Sequence, residues 1–420
     1  MKEAQDPVGK PRVVITGLGM LSPVGLDTPT SWASLLAGVS GVAPITLFDP
    51  ARIDATVAAE MKGFDPESIV GKREARKLDR CSVAAIAAAR EAWAMSGCTV
   101  DDPERVGVVI GSAFGGASTI QAGMGVLHER GPDRIGPHVL GAMLVDTPGF
   151  QVAHDLGVIG PNFSVTSACA TGAHAVGIAA DLVRSGDVDL VLTGGVDTLI
   201  TEFIMGGFCN MRVLGTPRAG GDLASTSRPF DLSRSGFVLG EGATVMVLER
   251  LEDAIARGAD VIAEVVSWSS TNDAFHIAAP REDCLGIERM FETVLRKGGL
   301  APSDVGYITP HGTGTQANDR LETATIRTVF GAHADRLAVS STKSMTGHQM
   351  GAAGAFEIAV TALALKHRLV PPTINLVEPD PACDLDYVPE GARALPDLDV
   401  AVSCSIGLGG HNGAVALRRV

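Results

Sequence analysis

The chain has 420 residues, 45% hydrophobic, with 50 glycines and only 4% aromatics, so any large core must be packed from small aliphatic side chains. A formal net charge of −14 argues against a nucleic-acid partner, whose binding rests on neutralising phosphates. No window carries the apolar run of a membrane span, and the first residues lack the basic-then-apolar order of a signal peptide. The seven cysteines are scattered without CxxC or metal-ligand spacing, so reduced thiols in a cytoplasmic protein are expected, most of them buried and inert.

Residues 13–15 (Val-Val-Ile) predict the first buried strand. Gly17-Leu18-Gly19 follows like the start of a dinucleotide loop, but it lacks a third glycine and a downstream acid, so no nucleotide is expected there. A basic run over 72–80 leads into a helix predicted over 75–95, and a strand over 106–110 precedes Gly111-Ser112-Ala113-Phe114. A β-prone stretch then ends in Thr166-Ser167-Ala168-Cys169-Ala170-Thr171-Gly172, and a helix of Ala, Gly, Val and Ile is predicted over 170–185. Cys169 therefore falls at the positive end of a helix, where the dipole favours a thiolate. A strand over 190–192 runs into Gly194-Gly195-Val196-Asp197, which reads as a tight turn.

Strands follow over 244–248 and 261–267, with helices over 251–257 and 284–297. A strand at 307–308 leads into Pro310-His311-Gly312-Thr313-Gly314-Thr315 and a helix over 321–329. Another at 337–339 leads into Ser341-Thr342-Lys343-Ser344-Met345-Thr346-Gly347-His348 and a helix over 352–367. A last strand over 400–402 precedes Ser405-Ile406-Gly407-Leu408-Gly409-Gly410. Short apolar strands alternating with helices define an α/β protein with strands buried on both faces. Residues 165–185 and 339–366 read alike, with Thr171-Gly172 on Thr346-Gly347 and Cys169 on Ser344. Two similar halves follow, 1–250 with the cysteine and 251–420 with the two glycine-flanked histidines. No Pro-, Gly- or Ser-rich linker divides them, so one rigid body is expected.

One thiol and two distant histidines, each beside glycine-rich backbone, point to acyl-transfer chemistry. These segments, together with Arg228-Pro229-Phe230-Asp231 and Gly236-Phe237-Val238-Leu239-Gly240-Glu241-Gly242, resemble the β-ketoacyl-acyl-carrier-protein synthases, and among them the type II elongating enzymes most. The resemblance runs from about Arg12 to the C-terminus. It implies a thiolase-like fold, a five-layered αβαβα arrangement of two similar halves, with helices 170–185 and 352–367 between two sheets. It also implies decarboxylative Claisen condensation of a Cys169-bound acyl group with malonyl-acyl-carrier-protein, in fatty acid or polyketide-type elongation.

Carried over residue by residue, Cys169 is the nucleophile, and His311 and His348 stabilise the enolate formed on decarboxylation. The main-chain amides of Cys169 and Ile406 make the oxyanion hole. Lys343 is a buried lysine needing a carboxylate partner, for which Glu322 and Asp319 are the candidates. Thr313 and Thr315 bind the phosphopantetheine arm, which arrives on the carrier, so no cofactor is expected. Phe114, Phe208, Ile406 and Leu408 line the acyl site. Arg73, Arg76, Lys77 and Arg212 dock the acidic carrier protein, and the subunits form a homodimer. The family usually has phenylalanine at positions 406 and 408, with the first as a gate. Ile406 is stiffer at χ1, and Phe114 replaces a smaller aliphatic residue, so a ketosynthase of a specialised polyketide pathway with short or unusual primers is the alternative. A non-decarboxylating thiolase would need a cysteine where Ser405 stands, and an inactive chain-length partner subunit would have lost Cys169.

Overall fold

The computed structural model describes residues 9–218 and 220–420. Ten strands make one twisted sheet: β1 (Val13–Leu21), β2 (Val106–Gly111), β3 (Asn162–Phe163), β4 (Leu190–Asp197), β5 (Gly242–Arg250), β6 (Ala263–Asn272), β7 (Tyr307–Thr309), β8 (Ala338–Val339), β9 (Val400–Gly407) and β10 (His411–Arg418). Their order is β8-β7-β9-β10-β6-β1-β5-β4-β2-β3. Each strand of the first half has a counterpart five positions later in the second. The pairings match as well: β1–β5 and β6–β10 antiparallel, β4–β2 and β9–β7 parallel. The halves join where Val13–Ile15 pair with Ala263–Val265.

Helices α1 (Arg80–Ser96) and α2 (Thr147–Leu156) cover the outer face of the first half, and α4 (Leu285–Gly298) and α5 (Gln316–Phe330) that of the second. Between the halves lie α3 (Thr171–Ser185) and α6 (Ala353–His367), which completes five layers. Small residues make these layers possible. A Cβ on Gly17 or Gly19 would lie 2.0 or 1.9 Å from the carbonyl oxygens of Ala92 and Ala88 in α1. Both glycines therefore sit inside β1, where close helix approach demands them. Gly194–Asp197 likewise belong to β4 rather than to a turn. The helix expected over 75–95 is broken: Lys72–Ala75 form one turn, and α1 starts only after Asp79, whose carboxylate accepts from the Cys81 N–H at 3.0 Å.

The internal repeat is real, but its register differs from the sequence alignment. Both α3 and α6 have 15 residues and follow a 3₁₀ turn, Ala168–Ala170 and Met350–Ala352. Ala168 and Met350 open those turns with φ of 50° and 51°, so Cys169 corresponds to Gly351, not Ser344. The shared Thr-Gly dipeptide misled the alignment, whereas the backbone conformation defines the true match. The two helices touch at Gly172 and Gly354, where a Cβ would lie 2.4 Å from the Ala355 nitrogen and 2.8 Å from that of Ala173. Among the described residues, no helix is long and apolar enough to cross a membrane.

Candidate active site

Four chain segments deliver side chains or amides to one point. Cys169 sits in the 3₁₀ turn before α3, held there by the left-handed Ala168. His311 follows β7, His348 follows the short helix Lys343–Thr346, and Leu408 follows β9. The reactive atoms of Cys169, His311 and His348 lie within 4.8 Å of one another, and all three residues are buried. They line an apolar cavity of about 390 Å³ that also receives Thr313, Thr315, Ile406 and Leu408. Asp273 and His276 reach the same cavity.

His348 Nε2 is 3.1 Å from Cys169 Sγ. Its Nδ1 accepts the Met350 N–H at 3.3 Å, which leaves the proton on Nε2. His348 therefore meets the sulfur as a donor. The Val238 carbonyl accepts the His348 N–H at 2.7 Å, and Phe237 packs edge-on at 5.3 Å, so the ring is fixed. The His311 ring stands 5.2 Å from it, with Nδ1 buried and without a protein partner. Burial, with the nearby Lys343 charge, pushes both histidines well below their ordinary value. Both are neutral near pH 7.

The thiol departs from expectation. Burial pushes Cys169 up to about 11, outweighing the Leu408 N–H, the Lys343 charge and the residue's own N–H. The helix end lowers that cost without reversing it, so the resting state is a thiol. Alkylation by iodoacetamide should accordingly accelerate roughly tenfold per pH unit from pH 7 to 9, with no plateau near the ordinary thiol value of about 8.5. A plateau there, read by intact mass, would show a thiolate already formed.

Beside the residue's own N–H, the backbone amide that meets the Cys169 sulfur is that of Leu408. Strand β9 extends to Gly407, five residues past its predicted end, so Ile406 remains in the sheet opposite Asn412. The turn at the site comes later, through Gly409 with φ of 81°.

Lys343 is fully buried, but its partner is Glu357 of α6 rather than Glu322 or Asp319. Burial pushes Glu357 up to about 7 against the pull of Lys343. Glu322 instead accepts the main-chain N–H groups of His311 at 2.6 Å and Gly312 at 2.8 Å, and so holds the histidine turn. It also accepts from the buried Cys404 thiol at 3.2 Å. Asp319 accepts from Phe230 N–H at 2.8 Å and Gly314 N–H at 3.2 Å. Glu357 had a signal: it is the single acid in the otherwise apolar run of α6, in a chain with a buried lysine to neutralise.

The expected acyl-site residues divide. Phe208 is buried edge-on against Phe237 at 5.4 Å, in the apolar cluster that contains Cys169, one layer behind the cavity wall. Phe114 does not line the cavity and is 41% exposed. Its loop is turned outward by Asp197, whose carboxylate accepts from Ser112 Oγ at 2.7 Å and from the amides of Ala113 and Phe114. Of the basic residues, Arg73, Arg76 and Arg212 are exposed, while Lys77 is paired with Glu74 at 2.6 Å. Arg212 directly follows Met211, which lines the cavity. Cys209 is half-buried, unlike the other cysteines.

A duplicated five-layer fold with a Cys-His-His centre at the seam of its halves defines a thiolase-like condensing enzyme, and the chain belongs to the β-ketoacyl synthase family. The models of the "Beta-ketoacyl synthase" N-terminal and C-terminal domains match residues 10–254 and 262–377. The chain is 43% identical over 410 residues to a Staphylococcus aureus protein named 3-oxoacyl-[acyl-carrier-protein] synthase 2, covering 97% of this chain and 98% of the other. A protein of the same name from Coxiella burnetii is 43% identical over 413 residues, covering 98% and 99%. Among solved structures, the ishigamide ketosynthase/chain length factor superposes with a TM-score of 0.90 at 35% identity, covering 98% and 100%. A type II PKS ketosynthase in complex with its acyl-carrier protein and bound to the hexaketide superposes with a TM-score of 0.89 at 29% identity, with the same coverage.

Proposed function

We propose that the protein condenses a Cys169-bound acyl group with malonyl-acyl-carrier-protein, releasing carbon dioxide and giving the β-ketoacyl carrier, in fatty acid or polyketide-type elongation. One observation carries this: a buried thiol faces two neutral imidazoles in an apolar cavity, one donating through Nε2–H and the other with its Nδ1 unpartnered. Sγ attacks the acyl thioester carbonyl, the amides of Cys169 and Leu408 receive the developing oxyanion, and the thiol proton leaves with the departing pantetheine thiol. The malonyl thioester then loses carbon dioxide. His311 and His348 donate to the enolate oxygen, and the carbanion attacks the acyl carbonyl and frees Sγ. Neutral donors suit this step, because a dry cavity strengthens each hydrogen bond to the growing charge. Thr313 and Thr315 bind the pantetheine arm, and no bound cofactor takes part. Incubation of the enzyme with acyl- and malonyl-carrier should yield the two-carbon-longer β-keto product. Its absence, with the carriers intact, would reject the reading.

The acidic carrier docks through Arg73, Arg76 and Arg212 in this reading, with Lys77 weakened by its Glu74 partner. The protein acts in a reducing cytoplasm, in keeping with seven free thiols. We also infer a homodimer. Strand β3 ends the sheet, and Ile159, Phe163, Phe150 and Leu140 are exposed in and around it. Two-fold pairing of β3 with its copy would cover this edge. Light scattering at micromolar concentration should give twice the chain mass, and a monomer would refute the pairing.

A further inference from the structure

Arg234 lies in the Asp231–Gly236 segment and takes no part in the chemistry above, yet its side chain is completely buried. Its guanidinium makes a set of contacts aimed at one short loop. Nε donates to the Thr315 carbonyl at 3.2 Å and Nη2 to the Gln316 carbonyl at 3.0 Å. Nη1 donates to Asp380 at 2.8 Å and to the Asp231 carbonyl at 2.9 Å. Asp319 lies 3.3 Å from Nε and accepts the Gly314 N–H. The clamp is reciprocal: Gln316 Nε2 donates to the Arg234 carbonyl at 2.7 Å, and Gly236 N–H to the Gly314 carbonyl at 3.0 Å. Every backbone group from Gly314 to Gln316 named here is thus held from behind. The front of the same loop presents Thr313 and Thr315, whose hydroxyls are 3.1 Å apart, to the cavity. Burial falls along it from His311 and Thr313 to the exposed Ala317, so the loop runs from the reactive centre outward.

We propose that Arg234 is a positioning residue for the carrier's pantetheine arm, fixing the Thr313/Thr315 loop through the carbonyls of Thr315 and Gln316. A lysine cannot replace it, because a single ammonium does not present the planar fork that reaches three carbonyls and two carboxylates at once. Arg234 touches none of the reacting groups, so its loss should act on binding of the arm and not on the chemistry. The inference rests on the condensing reading above.

The test is Arg234→Lys, compared with the unchanged enzyme on malonyl-carrier and acyl-carrier. The KM for carrier substrate should rise about tenfold or more, kcat should stay within threefold, and alkylation of Cys169 by iodoacetamide should keep its rate. An unchanged KM would overturn the proposal. So would a parallel fall in kcat and Cys169 alkylation, which would mark Arg234 as general packing. If the lysine variant does not fold, Asp380→Asn loosens the guanidinium from its outer partner and should give the same split at smaller size, and an unchanged KM there overturns the proposal equally. If the unchanged enzyme makes no condensation product, the condensing reading fails instead, an outcome distinct from all of these.

Discussion

Cys169→Ala should lower acyl transfer from carrier thioesters by on the order of 10⁴-fold or more, because no other group can form the covalent intermediate. The alternatives in the chain are poor. Burial raises Cys81, Cys98, Cys284, Cys383 and Cys404, and none of these lines the cavity. The substitution should leave the fold intact: it removes one sulfur from a site that already borders open space, and the left-handed Ala168 and helix α3 do not depend on it. Intact-mass measurement after incubation with acyl-carrier should show one acyl group on the unchanged enzyme and none on the variant. Stoichiometric acylation of the variant would remove Cys169 from the reaction.

His311→Ala and His348→Ala should each lower carbon dioxide release from malonyl-carrier by about 10²-fold or more while leaving acyl loading measurable. The split follows from the tautomer. His348 meets Sγ with its N–H, so it does not serve as the resting acceptor of the thiol proton, and loading does not require it as a base. Decarboxylation is different, since negative charge builds on an oxygen that must be met inside an apolar cavity. Burial holds both rings neutral, with folded-state values well below 6.5. As pH falls from 8 to 6 the rings therefore keep the same protonation state, and decarboxylation should show no inflection near 6.5. A tenfold loss centred on pH 6.5, or undiminished carbon dioxide release in both variants, would contradict these roles.

Much of this protein is written in local sequence. Cys169, His311 and His348 each follow a β-prone stretch among Gly, Ser and Thr, and that arrangement marks reactive turns without any coordinates. Alternating strands and small-residue helices likewise announce a layered α/β fold, because helices approach a sheet this closely only where Cβ atoms are few or small. What stayed hidden depends on contacts between distant segments. Gly17 and Gly19 look like a loop until α1 is placed against them. Lys343 finds Glu357 rather than Glu322 because α6 runs through the middle layer, while Glu322 is drawn to the amides of the histidine turn. The Leu408 amide reaches the sulfur because sheet pairing with β10 extends β9 through Gly407. Phe114 turns outward because Asp197, some eighty residues away, binds its amide. The Cys169 thiol shows the division most plainly: its helix-end position favours the thiolate, but only the tertiary structure buries it, and desolvation outweighs a helix dipole.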